Sequence, residues 1–197
     1  YAKELIIVNP GDVETRMTLA YNLMNVGRYQ EALEAIEGVT ERLSTYPGAY
    51  YLSAKIYIEI KNYAKALEAG KKEKENNPGI YNGFYILGET YRLMGKVQEA
   101  VDNLELAISI SPRNVESLIS LGLIKIAQRN YDIARELFLR AKKQEPANPK
   151  IRKQLGFIYQ GVGQSGLAIE EFQTYLKLFP NAPDRDQVLG RIQVLSR

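Results

Sequence analysis

The stretch "YILGETYRLMGKVQEA", residues 85–100, contains a glycine inside an otherwise helical pattern. Gly88 stands among apolar residues at helical spacing, where glycine costs about 1 kcal/mol relative to alanine. Gly95 follows in a predicted turn, and Ala100 lies in the next helical segment. An unfavourable residue inside a helix indicates a packing requirement. If that requirement belongs to the fold, the pattern recurs elsewhere in the chain.

The pattern recurs at a step of 34 residues. Small residues occupy every position in the register of Gly88, and alanine occupies every position in the register of Ala100. These positions are Ala20, Ala54, Gly88, Gly122 and Gly156, and Ala32, Ala66, Ala100, Ala134 and Ala168. Proline follows the same step at Pro10, Pro78, Pro112, Pro146 and Pro180, with Ser44 as the one exception. A fixed period over most of a chain indicates a repeat array.

Each period contains two amphipathic segments joined by a short turn. In the third period, apolar residues recur at spacings of three and four over residues 84–91 and again over residues 97–108, before Pro112 breaks the helix. No stretch alternates apolar and polar residues for long enough to predict a strand. The sequence therefore predicts an all-α chain of antiparallel helix pairs. We expect each pair to nest where a small residue of the first helix (Gly88) meets one of the second (Ala100), and stacking of pairs to complete each core.

The amino-acid composition excludes several kinds of catalytic and metal site. The 197 residues include neither Cys nor His, which excludes thiol nucleophiles, imidazole bases and zinc sites built on those ligands. The net charge of +3 is too small to favour a nucleic-acid partner, and no apolar run reaches the roughly 20 residues that cross a membrane. We expect no enzyme activity, cofactor or metal. We expect a soluble protein of the cytoplasm or the periplasm, with a bacterial source among the options.

The third period, "FYILGETYRLMGKVQEAVDNLELAISISPRN", resembles a tetratricopeptide repeat. The matching residues are Phe84, Leu87, Gly88, Tyr91, Ala100, Leu104, Ala107 and Pro112. The resemblance implies a right-handed superhelical solenoid forming one domain over residues 1–197. Its parts are a half-repeat 1–12, repeats 13–46, 47–80, 81–114, 115–148 and 149–182, and a capping helix 183–197. The cap would bury a stripe of Val188, Leu189, Ile192 and Leu195. Because the half-repeat has no first helix, we expect the chain to be a piece of a longer array or protein.

Two places depart from the repeat. In the second period, Gly70 and Glu73 replace apolar residues, so the second helix there is the weakest helix prediction. The mixed charges of residues 71–75 favour a solvated surface. Pro47 lies three residues beyond Ser44 in the first period. This predicts a second helix that continues to about Thr45 and a shorter turn after it.

The resemblance also implies that the first helices line a concave groove that holds a partner segment. By register, the predicted groove residues are Met17, Tyr21, Tyr51, Lys55, Tyr85, Glu89, Arg92, Ile119, Leu123, Lys153 and Phe157. Their apolar and aromatic character favours an apolar or amphipathic peptide, with packing against neighbouring helices as the alternative. Tyr51 and Tyr85 are 34 residues apart, so we expect them to be neighbours that anchor the partner. The Lys, Asn and Arg clamp of chaperone-binding members is absent, so we do not expect chaperone tails to bind.

Three functions remain open at this point. The leading hypothesis is a non-catalytic scaffold or adaptor for protein–protein interaction. The second is a helper region of a larger protein, such as an enzyme or an envelope-assembly lipoprotein of a pilus or secretion system. The third is a self-assembling array that associates through an N-terminal edge at Leu5, Ile6 and Val8.

Overall fold

The computed structural model describes residues 12–197. This part of the chain contains eleven α-helices joined by turns, without a strand. It divides into two compact units, one ending at Ser111 and the other beginning at Pro112. The predicted half-repeat 1–12 and its edge residues Leu5, Ile6 and Val8 lie, apart from Asp12, outside the described residues.

The first unit contains three helix pairs, each joined by a turn of three residues. The helices are α1 (Val13–Asn25), α2 (Tyr29–Thr40), α3 (Ala49–Glu59), α4 (Tyr63–Asn76), α5 (Tyr81–Leu93) and α6 (Val97–Ile110). The two helices of each pair pack closely on each other, and α5 also packs on α4. Helices joined by such short connections run antiparallel.

The second unit contains two further pairs and a terminal helix. The helices are α7 (Val115–Ala127), α8 (Tyr131–Gln144), α9 (Pro149–Gly161), α10 (Ser165–Leu178) and α11 (Arg185–Leu195). Helix α9 begins with proline at its first position, where the missing N–H has no intrahelical partner to lose, and the Asn148 side chain caps it. Helix α11 packs on α10.

The turns inside the pairs repeat the 34-residue step. Their central residues all have left-handed φ angles: Gly27, Lys61, Gly95, Arg129 and Gly163. In the third pair, the N–H of Lys96 donates to the Tyr91 carbonyl at 2.9 Å, and the N–H of Gly95 donates to the Arg92 carbonyl at 3.1 Å. This is a Schellman motif, which ends the first helix and reverses the chain.

The small residues of the first helices make room for large side chains of the second helices. A Cβ atom built on Gly88 would lie 2.7 Å from Leu104 Cγ, and one built on Gly122 would lie 2.6 Å from the Phe138 ring. Leu104 and Phe138 are fully buried. The nearest side chain to Gly88 is thus Leu104 rather than the expected Ala100, although Ala100 is also fully buried.

Helix α4 forms in full, although it was the weakest helix prediction. It spans 14 residues, as α6 does. Gly70 lies against the next helix, since a Cβ atom there would approach Leu87 Cδ2 to 3.0 Å. Lys71, Lys72 and Glu75 are exposed as expected, but the expectation of a solvated Glu73 is wrong because this residue is fully buried.

The first repeat ends differently from the others, as expected, but the predicted longer helix and shorter turn are wrong. Helix α2 ends at Thr40 instead of continuing to Thr45, and the connection over residues 41–48 is longer than those after the other repeats. The N–H of Arg42 bonds to the Val39 carbonyl three residues back, which tightens and ends the helix. Gly48, at φ +88°, then delays the start of α3 to Ala49.

The capping helix buries only part of its predicted stripe. Val188 is fully buried, and Ile192 and Leu195 are half-buried on the same face, but Leu189 is 40% exposed. Positions 188, 192 and 195 are separated by four and three residues, which places them on one side of a helix. Position 189 is rotated away from that side, so it faces solvent.

Candidate functional site

Tyr51 and Tyr85 lie side by side on α3 and α5. Their ring centroids are 6.3 Å apart, and the planes are tilted by 49°. Both are half-buried against a small core cluster that includes Ala54 and Ile86. The Lys55 ammonium lies 5.5 Å from the Tyr51 ring centroid, within the range of a cation–π contact. The sequence step of 34 residues therefore brings the two predicted anchors together.

A charged pair flanks Tyr85 along α5. Arg92 donates two hydrogen bonds to Glu89, at 2.8 Å and 2.7 Å, and the exposed fractions of the Arg92 and Glu89 side chains are 26% and 18%. These hydrogen bonds raise the pKa of Arg92 above its ordinary value. Tyr51, Lys55, Tyr85, Glu89 and Arg92 together form a surface that we call the tyrosine patch. It has an aromatic centre and a rim with charges of both signs.

The two predicted groove residues of α1 differ in their surroundings. Met17 is half-buried and packs against the core cluster of the first repeat. Tyr21, one helical turn further, is 53% exposed. Met17 therefore contributes to packing, while the Tyr21 ring is accessible to a partner.

The remaining predicted groove residues belong to the second unit. Ile119 and Leu123 lie one turn apart on α7, and both are half-buried. Lys153 and Phe157 have the same spacing on α9 and are also half-buried. Each pair therefore has one side in the packing of its repeat and one side that reaches the surface.

Lys153 and Phe157 also contact residues near the end of the chain. The Lys153 ammonium donates to Asp184, just before α11, at 3.0 Å. The Arg191 guanidinium of α11 lies 5.0 Å from the Phe157 ring centroid. Both residues thus help to hold the capping helix.

A tyrosine completes the contacts at the start of α11. The buried Tyr175 donates its hydroxyl hydrogen to Asp184 at 2.6 Å. Burial, followed by the bond to Asp184, raises the pKa of Tyr175 to about 12. The same bond, together with Lys153, lowers the pKa of Asp184. Near neutral pH, Tyr175 therefore remains a donor and Asp184 an acceptor.

Glu73 of α4 binds the N-terminal end of α3, the helix that carries Tyr51. Its carboxylate accepts hydrogen bonds from the N–H groups of Gly48, at 2.8 Å, and Tyr51, at 3.2 Å. Helix α3 has no side-chain cap of its own because its N-cap residue is Gly48. Glu73 supplies this cap from α4 and places a negative charge at the positive end of α3.

Burial and hydrogen bonding shift the pKa of Glu73 in opposite directions. Burial raises the pKa of Glu73 and outweighs the hydrogen bonds from Gly48 and Tyr51, which lower it. The sequence did not reveal this role. The sequence does contain an indication of it, because Glu73 is the one charged residue at this repeat position. The other repeats carry Val39, Ala107, Ala141 and Tyr175 there.

Residues 12–197 hold no cluster of His, Cys, Asp or Glu that could bind a metal ion. Within the same residues, every helix is too short or too polar to cross a membrane. The side chains brought together at the tyrosine patch supply contact area, hydrogen-bonding groups and charge.

Comparisons with known proteins agree with this architecture. The family profile described as "Anaphase-promoting complex, cyclosome, subunit 3" matches residues 1–73, and the profile "Tetratricopeptide repeat" matches residues 81–114. Human tetratricopeptide repeat protein 7B is 29% identical over 66% of this chain and 16% of its own length. Anaphase-promoting complex subunit 3 of Schizosaccharomyces pombe is 23% identical over 97% of this chain and 29% of its own length. The chain thus spans less than a third of either relative.

Solved structures show the same fold. A thermophilic TPR protein of Thermus thermophilus superposes with a TM-score of 0.75 at 24% identity, covering 92% of this chain and all of that one. One chain of the APC/C hetero-tetramer Cut9–Hcn1 superposes with a TM-score of 0.85 at 16% identity, covering 98% of this chain and 38% of that one. The predicted fold class, an all-α solenoid of antiparallel helix pairs, is confirmed. Such arrays present extended surfaces for protein–protein interaction. The chain is a tetratricopeptide repeat protein.

Proposed function

We propose that this chain is a non-catalytic scaffold that binds an apolar or amphipathic protein segment at the tyrosine patch. The main support for the proposal is the pair Tyr51 and Tyr85, which lie on adjacent first helices with their ring centroids 6.3 Å apart. Tyrosine offers a large contact area and loses little side-chain entropy on binding, which is why it is enriched where interfaces concentrate their energy.

The rim of the patch supports an amphipathic partner. Lys55 lies beside Tyr51, and the ion pair of Glu89 and Arg92 lies beside Tyr85. A helical segment could place its apolar face on the two rings and its polar flanks on these charges, as helices do in the grooves of other proteins. The charges would then select orientation, while the rings would supply most of the affinity.

The other predicted groove residues are proposed as further partner contacts, each within its own unit. These are Met17 and Tyr21 in the first unit, and Ile119, Leu123, Lys153 and Phe157 in the second. Of these, Tyr21 offers the most accessible ring. Lys153 and Phe157 would act at the surface they leave open beside the capping helix. The single domain over residues 1–197 remains a prediction.

A second candidate is a helper region within a larger protein. It is favoured by the relatives' lengths, since this chain spans only 16% of human tetratricopeptide repeat protein 7B and 29% of the yeast subunit. The two candidates are compatible, because a helper region would also act by binding. Self-assembly through Leu5, Ile6 and Val8 concerns residues outside the described part of the chain.

Site-directed photocrosslinking tests the proposal. A photoreactive phenylalanine analogue replaces Tyr85 in one preparation and the exposed Glu105 of α6 in the control preparation. Each is irradiated in a lysate of the source cells, and the crosslinked peptides are identified. We expect the Tyr85 probe to capture one partner segment repeatedly, with no such capture at Glu105. Equal crosslinking from both positions, or none from Tyr85, would reject the tyrosine patch as the binding surface.

A further inference from the structure

A cavity of about 480 Å³ lies in the first unit, between α2 and the α3–α4 pair. Its volume is in the range of small-molecule pockets, roughly 300–1,000 Å³. Tyr50, Ser53 and Tyr57 are the α3 residues that face it. At 3.6 residues per turn, these positions lie on the side of α3 turned away from Tyr51 and Lys55. The cavity, which we call the α2–α4 cavity, is therefore separate from the tyrosine patch.

One wall of the cavity consists of two tyrosine–lysine pairs. The Lys72 ammonium lies 5.7 Å from the Tyr50 ring centroid, and the Lys65 ammonium lies 5.5 Å from the Tyr57 ring centroid. Lys72 also pairs with Glu68 at 3.2 Å. Both lysines therefore already have partners within the chain, and the aromatic rings provide flat contact surfaces between the helices.

The floor of the cavity is made of small and apolar residues. Ser53, Ala69 and Ile36 of α2 are among the residues that line it. All three are buried, and the Ser53 hydroxyl donates to the Ala49 carbonyl at 3.2 Å. The floor thus offers apolar contact and no unsatisfied serine hydroxyl. An aliphatic stem fits this surface better than a polar group.

The opposite wall carries two carboxylates. Glu34 and Glu37 of α2 line the cavity and are exposed. Within residues 12–197, neither carboxylate forms an ion pair, and Glu34 only accepts a hydrogen bond from Gln30 at 3.4 Å. With Glu68 included, three carboxylates and two ammonium groups line the site. Lys72 pairs with Glu68, so Glu34, Glu37 and Lys65 leave the site with a net negative charge.

We propose that the α2–α4 cavity is a second binding site, which takes an arginine or lysine side chain of a basic peptide segment. The charged head lies at Glu34 and Glu37, and the aliphatic stem rests on Tyr50 and Tyr57. Arginine fits better than lysine, because a guanidinium can bind carboxylates and stack on an aromatic ring. This site goes beyond the proposed function, since it lies on another side of α3 and recognises charge rather than an apolar face.

The test uses the isotopically labelled chain and two short capped helical peptides. One peptide carries arginines four residues apart, which places them on one face, and the other carries glutamates at the same positions. We expect the arginine peptide to shift the amide signals of α2, α3 and α4 in a saturable titration, and the glutamate peptide to leave them unchanged. Shifts with both peptides, shifts confined to other helices, or none with the arginine peptide would overturn the proposal.

A pair of charge-matched variants then locates the contact. E34Q/E37Q removes the two carboxylates of the cavity, and E99Q/E105Q removes two exposed carboxylates of α6. Loss of two exposed ion pairs weakens binding by about tenfold. We expect this loss for E34Q/E37Q and a much smaller effect for E99Q/E105Q. Equal affinities of the two variants would show that the peptide responds only to overall charge. Retained binding in the Tyr51 and Tyr85 double alanine variant separates this site from the tyrosine patch.

Discussion

Gly122 shows at the residue scale why the repeat register selects small residues. Its backbone lies against Phe138, and any side chain there would meet the ring. We predict that Gly122→Leu lowers the free energy of unfolding by about 1–3 kcal/mol or more through overpacking. The matched control is Gly166→Leu in α10, where nothing lies within 4 Å of the added atom. Urea melts that show the same loss for both variants would contradict the packing argument.

The contribution of Glu73 to stability is expected to depend on pH. Its pKa in the folded chain is raised above the ordinary value of 4.5, chiefly by burial. Its contribution is therefore most favourable below pH 4.5 and is lost as the pH rises through the folded-state pKa. Glu73→Gln removes this titration. We predict that the stability of the wild type relative to Glu73→Gln falls as the pH rises through this interval.

The measurement for Glu73 is the free energy of unfolding over a pH series. Glu75→Gln, in the same helix but exposed, serves as the control and should show little of this trend. A difference between wild type and Glu73→Gln that stays constant with pH would mean that burial does not shift the Glu73 titration.

At the scale of elements, the capping helix depends on a short polar network before its first residue. Tyr175→Phe keeps the buried ring and removes the hydrogen bond to Asp184. Because a hydrogen bond to a charged group contributes about 1.5–3 kcal/mol, we predict a loss of this order at most, since Asp184 is partly exposed. Faster amide hydrogen exchange in α11 is the expected signature. Tyr159→Phe is the control, because the Tyr159 hydroxyl makes no hydrogen bond within residues 12–197. Equal rates of amide hydrogen exchange in α11 of both variants would reject the role of Tyr175.

The elements themselves were largely predictable, and the exceptions have physical causes. The 34-residue step located the five pairs because each pair must repeat the same packing. It failed at the end of α2, where a tightened turn after Val39 and the left-handed Gly48 determine the connection rather than Pro47. It also failed at Glu73, because a carboxylate that caps a neighbouring helix cannot be recognised before that helix is placed beside it.

At the scale of the whole chain, the repeat explains how the candidate site could be anticipated. Equivalent positions on stacked first helices become neighbours, so Tyr51 and Tyr85 were expected to meet and they do. The α2–α4 cavity was not anticipated, because its walls combine three helices at positions that differ between repeats. The units before and after Ser111 each provide first helices with predicted groove residues.

The affinity of the Tyr51→Ala, Tyr85→Ala double variant for a partner segment decides whether the tyrosine patch is the binding surface. Truncating a true anchor costs about 2 kcal/mol or more in binding. The segment identified by crosslinking is titrated calorimetrically into the wild type, the double variant and a Val97→Ala, Leu106→Ala control, which truncates two exposed side chains of α6. We predict that only the Tyr51 and Tyr85 variant loses binding, while its helical content and cooperative melting remain. Wild-type affinity in that folded variant would contradict the claim, and unfolding of that variant alone would show that the two tyrosines are core residues.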